Sequence, residues 1–341
     1  MTARPGPAPV SRRRFLGAAA AVAAGGAFGV PFIAPRAAGA ATILKLNLPV
    51  NEADMISTCS AKFAQLVEEH SGGALHVQLF YNGVLGTQKA SITDVQDGVV
   101  DMTSQSTAWL ESVAPRTQAL DLPFAFADAA VAERVLDGPI GRAVADDLAR
   151  KGILVLAWTT HGWRDLEFVS ARVTEPADVR GLKIRIQSGA VYVSIMKALG
   201  AVPTIIDFSE TYLALQQRVV DGLDIPPPTV LTTKLYEVLK SVSLTHHLYN
   251  PGPLMMSKMK YDALPAPQQR AIQLAAAEVL PFWRRSFVEY QKSVLVALKA
   301  KGTTVLDVDR AAFKHQMTPV YEQIRQQAGA DFVDRLLAEV T

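Results

Sequence analysis

Residues 181–228 read GLKIRIQSGAVYVSIMKALGAVPTIIDFSETYLALQQRVVDGLDIPPP, and their pattern decides the predicted fold class. An apolar strand opens the stretch, and Arg185 alternates with its three aliphatic residues, Leu182, Ile184 and Ile186. Because successive side chains of a strand point to opposite faces, the Arg185 guanidinium is predicted to lie on the face opposite the aliphatic side chains. The stretch therefore begins with one charged group placed beside an apolar strand.

A helix, a second strand and a second helix follow. The first helix ends at Gly200, which suits the left-handed residue after a helix C-terminus, and its apolar stripe consists of Val191, Ile195 and Leu199. Residues 203–208 lead into the second helix, which is predicted to end at Asp221 and Gly222. The stretch is thus a strand–helix–strand–helix unit.

The rest of the chain also alternates strands with helices. A first helix is predicted over about residues 53–70, and strands near residues 44–48, 75–79, 99–102 and 153–158. The last of these runs is continuously apolar, which is typical of a buried parallel strand. This alternation predicts a mostly parallel α/β architecture.

The C-terminal part is predicted to be helical. A long helical pattern runs from Pro265 to about Lys301 and contains Pro281, so a bend is expected near Val279. Residues 309–340 are a second helical segment, whose charged pattern indicates packing rather than chemistry.

Several motifs, taken in order, carry a family resemblance. They are LVEEHSGGALHVQLFYNGVLGTQ, LDLPFAFADAAVAERVLDGPIG, GLKIR, ALGA, PTIIDFSETY and LQQRVVDG. The series resembles the extracytoplasmic solute-binding proteins of TRAP transporters, the tripartite ATP-independent periplasmic family with C4-dicarboxylate- and sialic-acid-binding members. The resemblance extends from about Thr42 to the C-terminus. It implies an α/β, two-lobed periplasmic-binding-protein-like fold (type II-like) with a long helix spanning both lobes, no enzymatic activity and no cofactor.

We expect lobe I to comprise residues 41–161 and 251–290, and lobe II to comprise residues 162–250 and 291–341. With 301 residues after residue 40, the chain is long enough for two α/β domains with their own cores.

Residues 1–40 have the features of a twin-arginine export signal. The hexapeptide SRRRFL precedes a run rich in alanine and glycine, and Ala38-Gly39-Ala40 matches a cleavage site. The alternative is a membrane anchor, but the run from Gly17 to Val30 is short for ~30 Å of hydrocarbon. We therefore expect cleavage after about Ala40, a periplasmic mature protein and no membrane span after signal removal.

Charge and cysteine content exclude two kinds of site. The whole chain has a net charge of +2, and removing the five arginines of residues 1–40, a segment without acidic residues, leaves −3. No basic footprint for nucleic acid remains. Cys59 is the single cysteine, so an intrachain disulfide and a Cys-rich zinc site are both impossible. It is predicted to be buried in the first helix.

Polar and aromatic residues cluster at three predicted strand ends. They are Gln105, Ser106 and Trp109, then residues 161–164, then residues 186–188. Ligands of open α/β sheets gather beyond the carboxyl ends of strands. Arg164 and Arg185 lie close by, and a guanidinium can bind a carboxylate or phosphate through two parallel hydrogen bonds. An anion site is therefore predicted, although Arg164 could equally form a surface ion pair with Asp165 or Glu167.

The resemblance assigns roles within this site. Arg185 matches the family's carboxylate-clamping arginine, Arg164 a second arginine that approaches the ligand, and Phe208 a ring that lines the cleft. His247 falls where some members place another ligand-side residue. Members usually carry an asparagine before the proline of a VDGQxNP turn, and Ile225 replaces it here. The candidate ligand-binding residues are Arg185, Arg164, Phe208, Trp163, Ser106, Trp109, Ser188, Ile225 and His247.

Three of these residues bear on the ligand. Isoleucine cannot donate a hydrogen bond, so the pocket becomes more apolar at Ile225, and Trp109 and Trp163 act in the same direction. A monocarboxylate with an apolar or aromatic part, or a small hydroxy or keto acid, is predicted in preference to sialic acid or a C4-dicarboxylate. The alternative for both tryptophans is the domain core.

Other chemistries lack support in the sequence. There is no G-x-S-x-G, phosphate-loop or H-E-x-x-H motif, and His246 and His247 are expected to point to opposite faces of a strand rather than to share a metal. The leading hypothesis is a receptor that delivers a carboxylate to separate TRAP membrane permease subunits. A sensor that docks to a membrane signalling protein and a periplasmic enzyme are the alternatives.

Overall fold

The computed structural model describes residues 41–340, so the predicted export signal lies outside the described residues. Within this range eleven strands form two sheets. The strands are β1 (Thr42–Asn47), β2 (Leu75–Phe80), β3 (Met102–Ser104), β4 (Ile153–Ala157), β5 (Thr160–Phe168), β6 (Lys183–Ile186), β7 (Val202–Ile205), β8 (Gly222–Ile225), β9 (Ser241–Pro251), β10 (Leu254–Ser257) and β11 (Thr304–Leu306).

The same range contains thirteen α-helices. They are α1 (Met55–Ser71), α2 (Gln88–Gln96), α3 (Thr117–Leu120), α4 (Ala129–Asp137), α5 (Pro139–Arg150), α6 (Ala190–Ala198), α7 (Phe208–Gln216), α8 (Pro227–Thr232), α9 (Lys258–Asp262), α10 (Ala266–Ala300), α11 (Arg310–His315), α12 (Thr318–Ala328) and α13 (Ala330–Val340). Cys59 is buried in α1, as predicted.

The two sheets are both mixed. The first has the order β2-β1-β3-β10-β4, in which β1 runs parallel to β2 and β3, and β10 runs antiparallel to β3 and β4. The second has the order β11-β9-β5-β8-β6-β7, in which β6 is parallel to β7 and β8, and β5 is antiparallel to β8 and β9. Strand β11 is parallel to β9.

The antiparallel pairs arise where the chain passes directly from one sheet to the other. Strands β4 and β5 are joined across residues 158–159, and β9 and β10 across residues 252–253. The Gly252 amide donates to the Thr159 carbonyl at 3.0 Å, which ties the two crossovers together. No helix intervenes at either crossover, so the prediction of a mostly parallel architecture is wrong for this part of the chain.

Strand β4 shows the same effect. The apolar run at residues 153–158 was expected to be a buried parallel strand, but β4 is an edge strand that pairs antiparallel with β10. The middle of β4 is half-buried, and its apolar residues contact α5 and α10. Apolar character here reflects helix packing rather than a central position in the sheet.

The unit in residues 181–228 has the predicted order β6, α6, β7, α7. Gly200 follows α6 with φ 76°, and the predicted apolar stripe of α6 is buried. The predicted end of the second helix is wrong: α7 stops at Gln216, and Gly222 begins β8. The Asp221 carboxylate accepts a hydrogen bond from the Lys183 amide at 2.8 Å, which holds this segment against β6. The residues after Gln216, which helix periodicity assigned to α7, therefore lie outside the helix, and Gly222 pairs in the sheet instead.

Helix α10 is continuous over 35 residues and contains Pro281. It contacts β4 of the first sheet and β5 of the second. The Trp283 Nε1–H donates to the Thr160 carbonyl and Arg284 Nη2 donates to the Trp158 carbonyl, both at 2.9 Å. The helix is therefore fastened to one of the crossovers, while the bend near Val279 and the lobe boundaries given above stay predictions.

Candidate functional site

A small cavity of about 40 Å³ lies where strand ends of the two sheets meet. Five predicted site residues line it: Ser106 after β3, Arg164 in β5, Arg185 in β6, Phe208 at the start of α7 and Ile225 at the end of β8.

Arg185 is a buried cation without an acidic partner among the described residues. Its side chain is 2 % exposed; Nε donates to the Ile206 carbonyl at 3.0 Å, and Nη2 has no partner on that part of the chain. The guanidinium carbon lies 5.8 Å from the centroid of the Phe208 ring. Burial, with a further contribution from Arg164 and against the smaller opposing effects of Asp224 and Asp207, lowers the pKa of Arg185 to about 9, so the group remains charged at neutral pH.

Arg164 is also buried, but it has a counter-ion. Its Nε donates to Asp224 Oδ1 at 2.7 Å and its Nη2 donates to the Asp224 carbonyl oxygen. The alternative of a surface pair with Asp165 or Glu167 is therefore wrong, because the partner lies on the neighbouring strand β8. Burial alone would lower the pKa of Arg164, but the Asp224 carboxylate reverses this direction and raises it.

His247 lies behind Arg164 rather than in the cavity wall. Its Nε2 is 3.5 Å from Asp224 Oδ1, and its Nδ1 is 2.8 Å from Thr245 Oγ1. Burial opposes ionisation of Asp224, but Arg164 and then His247 outweigh it, so the pKa of Asp224 is lowered. Asp224 thus remains a carboxylate and neutralises Arg164.

The wall is left with one uncompensated charge. His161 lines the cavity and is buried, and burial, with Arg164 adding, lowers its pKa to about 3. The imidazole is therefore neutral, and its Nε2 lies 3.2 Å from Ser104 Oγ. With Arg164 paired to Asp224, Arg185 alone supplies net positive charge among the cavity-lining side chains that the structure describes.

Three further candidates lie outside the wall that the described residues form. Trp109 is 7 % exposed and belongs to the hydrophobic core. Trp163 packs against Tyr249 with ring centroids 5.4 Å apart and stacks on His246 at 6.2 Å. Ser188 is half-buried in the loop between β6 and α6. The core alternative for the tryptophans fits these positions, which removes two arguments for an aromatic ligand.

Two buried amide side chains in the wall were absent from the candidate list. Gln187 follows β6 and Asn250 is the penultimate residue of β9, and both are buried. Gln187 Nε2 donates to Ser106 Oγ at 2.9 Å, and Ser106 Oγ donates to Asn250 Oδ1 at 2.8 Å. Gln187 could have been found from its position two residues after Arg185. No local pattern marks Asn250, because the pairing of β9 with β5 brings it to the site.

Neither a metal-binding cluster nor a helix able to span a membrane is present in residues 41–340. No group of three or more histidine, cysteine, aspartate or glutamate side chains there could hold a metal ion. No helix in that range combines the length and apolar character required to cross a membrane.

A ligand cavity between two α/β sheets, with two strand crossovers and one long connecting helix, defines a solute-binding protein. The chain belongs to the bacterial extracellular solute-binding protein family 7, whose model matches residues 49–327. This is the family of TRAP solute-binding proteins, so the predicted family and the two-lobed α/β fold are both confirmed.

Comparisons with known proteins agree in both sequence and structure. The 2,3-diketo-L-gulonate-binding periplasmic protein YiaO of Escherichia coli is 34% identical over 275 residues, which cover 80% of this chain and 84% of that protein. The sugar acid binding protein DctPAm of Advenella mimigardefordensis, solved with galactonate, superposes with a TM-score of 0.86 at 30% identity, covering 88% of this chain and 98% of that one. A TRAP periplasmic solute-binding protein of Polaromonas sp. JS666, bound to D-erythronate, gives 0.84 at 30% identity, with 87% and 98% covered.

These relatives are extracytoplasmic ligand-binding proteins, not enzymes. The chain is accordingly a solute-binding receptor for small organic acids in TRAP transport.

Proposed function

We propose that this receptor captures one small organic monocarboxylate and that Arg185 binds its carboxylate. The observation that carries the proposal is the buried guanidinium of Arg185, whose Nη2 lacks a partner on the described residues. A buried charge without a counter-ion is unfavourable, and a ligand carboxylate would provide that counter-ion. Arg164 lies in the same wall and is oriented by Asp224, so its remaining N–H groups would form the second arm of the clamp.

The charge of the wall favours a monocarboxylate over a dicarboxylate. Arg164 is already paired with Asp224 and His161 is neutral, so one ligand carboxylate balances Arg185. A second carboxylate would be desolvated without a matching cation among the wall residues described here, which is costly.

We further infer a small hydroxy or keto acid. The wall includes the polar side chains of Gln187 and Asn250, which can hydrogen-bond to oxygen atoms on the ligand. The names of three similar proteins point the same way, since they mention galactonate, D-erythronate and 2,3-diketo-L-gulonate. A purely apolar or aromatic ligand would leave these amides unpaired.

Export and delivery complete the proposal. The twin-arginine signal of residues 1–40 would direct the chain to the periplasm, and the loaded receptor would deliver its ligand to the TRAP membrane permease subunits. Ligand binding would favour closure of the two lobes, because a ligand shifts such an equilibrium only through contacts that are better in one state. Ser106 follows a strand of the first sheet and Arg185 lies in a strand of the second, so they would provide contacts on both sides of the cleft.

A thermal-shift screen tests the proposal. Residues 41–341 would be melted with monocarboxylates, dicarboxylates, sugar acids and neutral sugars, because a ligand that binds the native state raises the melting temperature. Hydroxy and keto monocarboxylates are expected to give the shift. Arg185→Ala should weaken binding by ~3–5 kcal/mol, on the order of a hundred- to several-thousand-fold in Kd.

The matched control is Lys183→Ala, which removes an exposed cation from the same strand. It should leave the shift intact. A shift produced by neutral sugars, or one retained by Arg185→Ala, would require the arginine clamp to be abandoned.

A further inference from the structure

Three buried polar side chains form a hydrogen-bonded chain in the cavity wall, which we call the amide relay: Gln187, Ser106 and Asn250. Each lies near a different strand end: Ser106 follows β3 of the first sheet, Gln187 follows β6 of the second, and Asn250 is the penultimate residue of β9 in the second. The exposed fraction is 4 % for Gln187, 3 % for Ser106 and 2 % for Asn250. Three buried polar groups in a row destabilise the protein unless their hydrogen-bonding capacity is satisfied.

The relay leaves two groups available to a ligand. Gln187 donates to Ser106 and Ser106 donates to Asn250, so Gln187 Oε1 remains as an acceptor and Asn250 Nδ2 as a donor. Within residues 41–340 neither atom has a hydrogen-bond partner on the protein. If both amide groups were rotated by half a turn, the hydrogen bonds would run in the opposite direction, and Gln187 would offer a donor and Asn250 an acceptor. In either orientation one donor and one acceptor are available.

The relay is adjacent to Arg185. Gln187 lies two residues further along the same chain segment, which corresponds to roughly 6–7 Å in extended backbone and places both side chains on one side. A ligand group that hydrogen-bonds to the amide relay would therefore be close to a carboxylate bound by Arg185. A hydroxyl group matches the relay because it can donate to one amide and accept from the other. A keto oxygen only accepts, and a methylene satisfies neither amide.

We propose that the amide relay selects acids that carry a hydroxyl group near the carboxylate, with Gln187 and Asn250 contacting that hydroxyl and Ser106 acting as the positioning residue between them. This inference rests on the proposed function, because it assumes that an organic acid occupies the cavity. It predicts an order of affinity: hydroxy acid first, keto acid second and deoxy acid last.

Calorimetric titration of two matched series tests the order. The probes are lactate, pyruvate and propanoate, and gluconate, 2-oxogluconate and 2-deoxygluconate. In the series whose length fits the cavity, each step is expected to weaken binding by about tenfold, because it leaves a buried polar group unpaired. Asn250→Leu, which keeps the size and removes the amide, should bring the ratio of the hydroxy and deoxy affinities to within about threefold.

The affinity for the deoxy acid separates recognition from a structural effect. In Asn250→Leu and in Ser106→Ala it should fall much less than the affinity for the hydroxy acid, whereas a misfolded or distorted cavity would weaken all acids together. Gln96→Leu, which removes an amide at the surface contact with the Lys151 carbonyl, is the matched control and should leave the ratio unchanged.

Two failures can be told apart. If wild-type protein binds the hydroxy and deoxy acids equally, or the variants keep the wild-type ratio, the relay inference is wrong while the carboxylate receptor stands. If none of the six acids binds wild-type protein, both the relay inference and the proposed hydroxy or keto monocarboxylate class are contradicted.

Discussion

Arg185 and Arg164 are both buried, yet their surroundings differ in one respect. Burial lowers the pKa of each guanidinium, and the carboxylate of Asp224 reverses that direction at Arg164 only. Arg164 is therefore part of an internal ion pair, whereas no carboxylate of the described residues lies within ion-pair distance of Arg185. The feature of the binding site that matters at the residue scale is one buried arginine, Arg185, without an ion-pair partner among the described residues.

Keeping Arg185 unpaired should lower the stability of the empty receptor. In Arg185→Met an apolar side chain of similar length replaces the cation, so the free energy of unfolding without ligand should equal that of wild type or exceed it by up to ~2 kcal/mol. Ligand binding should be lost at the same time. Urea unfolding and ligand titration of the same preparations provide the two measurements.

Lys183→Met is the control for this substitution, because it exchanges an exposed cation on the same strand. It should change neither property. An Arg185→Met protein that is clearly less stable than wild type would mean that Arg185 contributes to the fold rather than being reserved for a ligand.

The sequence could predict those site residues whose position follows from local periodicity. Arg185 follows from the alternation of β6 and Ser106 from its position at a strand end, whereas Ile225 was identified only through the family resemblance. Asn250 could not be predicted, because the register between β9 and β5 brings it to the cavity. Trp109 and Trp163 have no local signal that distinguishes a core ring from a ligand-binding ring.

At the scale of elements, the N-terminus of α6 depends on a carboxylate from a distant segment. Glu111 follows the short 3-10 turn at residues 107–110 and is 7 % exposed. Its Oε2 accepts from the Ala190 amide at 2.5 Å, where helix α6 has no side-chain cap of its own. The segment after β3 thereby supports the helix that follows the loop of Gln187.

Glu111 should make stability depend on pH. Burial raises the pKa of Glu111 from 4.5 to about 7, against the opposing effect of the α6 amides. Its contribution to stability is therefore complete below pH ~4.5 and is lost as pH rises through about 7. In Glu111→Gln this group no longer titrates, so between pH 4.5 and 7.5 the variant should gain ~2–3 kcal/mol relative to wild type.

Urea unfolding at the two pH values measures that gain. Glu69→Gln, a change at an exposed position of α1, serves as the control and should give the same difference from wild type at both. An equal difference at both pH values for Glu111→Gln would show that the carboxyl group does not titrate in this window.

Element boundaries show where periodicity was insufficient. The order of β6, α6, β7 and α7 and the glycine after α6 were predictable from the sequence, because apolar spacing and a left-handed residue are local signals. The end of α7 was not, since residues 220–223 could continue a helix or pair in a sheet. Because β8 pairs with β6 and β5, the segment from Gly222 onward is a strand rather than a helix.

At the scale of the whole molecule, the cavity and the crossovers between the sheets share a residue. The His161 imidazole lines the cavity and also packs against Gly252 in the second crossover. A Cβ atom on Gly252 would lie 2.2 Å from this ring, so any larger residue must displace it. Glycine at this position keeps the crossover close to the binding site.

Gly252→Ala should therefore affect stability and binding together. Overpacking against a buried ring costs ~1–3 kcal/mol in unfolding free energy, and displacement of His161 should raise the ligand Kd. Placing Gly252→Ala in a His161→Ala background should remove most of this cost, as a double-mutant cycle by urea unfolding would show. An equal cost in both backgrounds would contradict the proposed contact.

The global arrangement was only partly accessible from the sequence. Alternating strands and helices predicted an α/β protein, and the family resemblance implied two lobes and a long helix. The predicted parallel direction of β4 was wrong, because an apolar run does not reveal which strand pairs with it or in which direction that strand runs. Strand β10 comes directly from the other sheet and therefore runs antiparallel.

The most direct test of the central claim is a calorimetric cycle with two ligands and two proteins. The ligands are the best-binding acid and its primary amide, which has nearly the same shape and no charge, and the proteins are wild type and Arg185→Met. We expect wild type to prefer the acid by about a hundredfold or more, and the variant to show a preference within about threefold. A wild-type protein that binds the amide as tightly as the acid, or a variant that keeps the preference, would contradict the pairing of Arg185 with a ligand carboxylate.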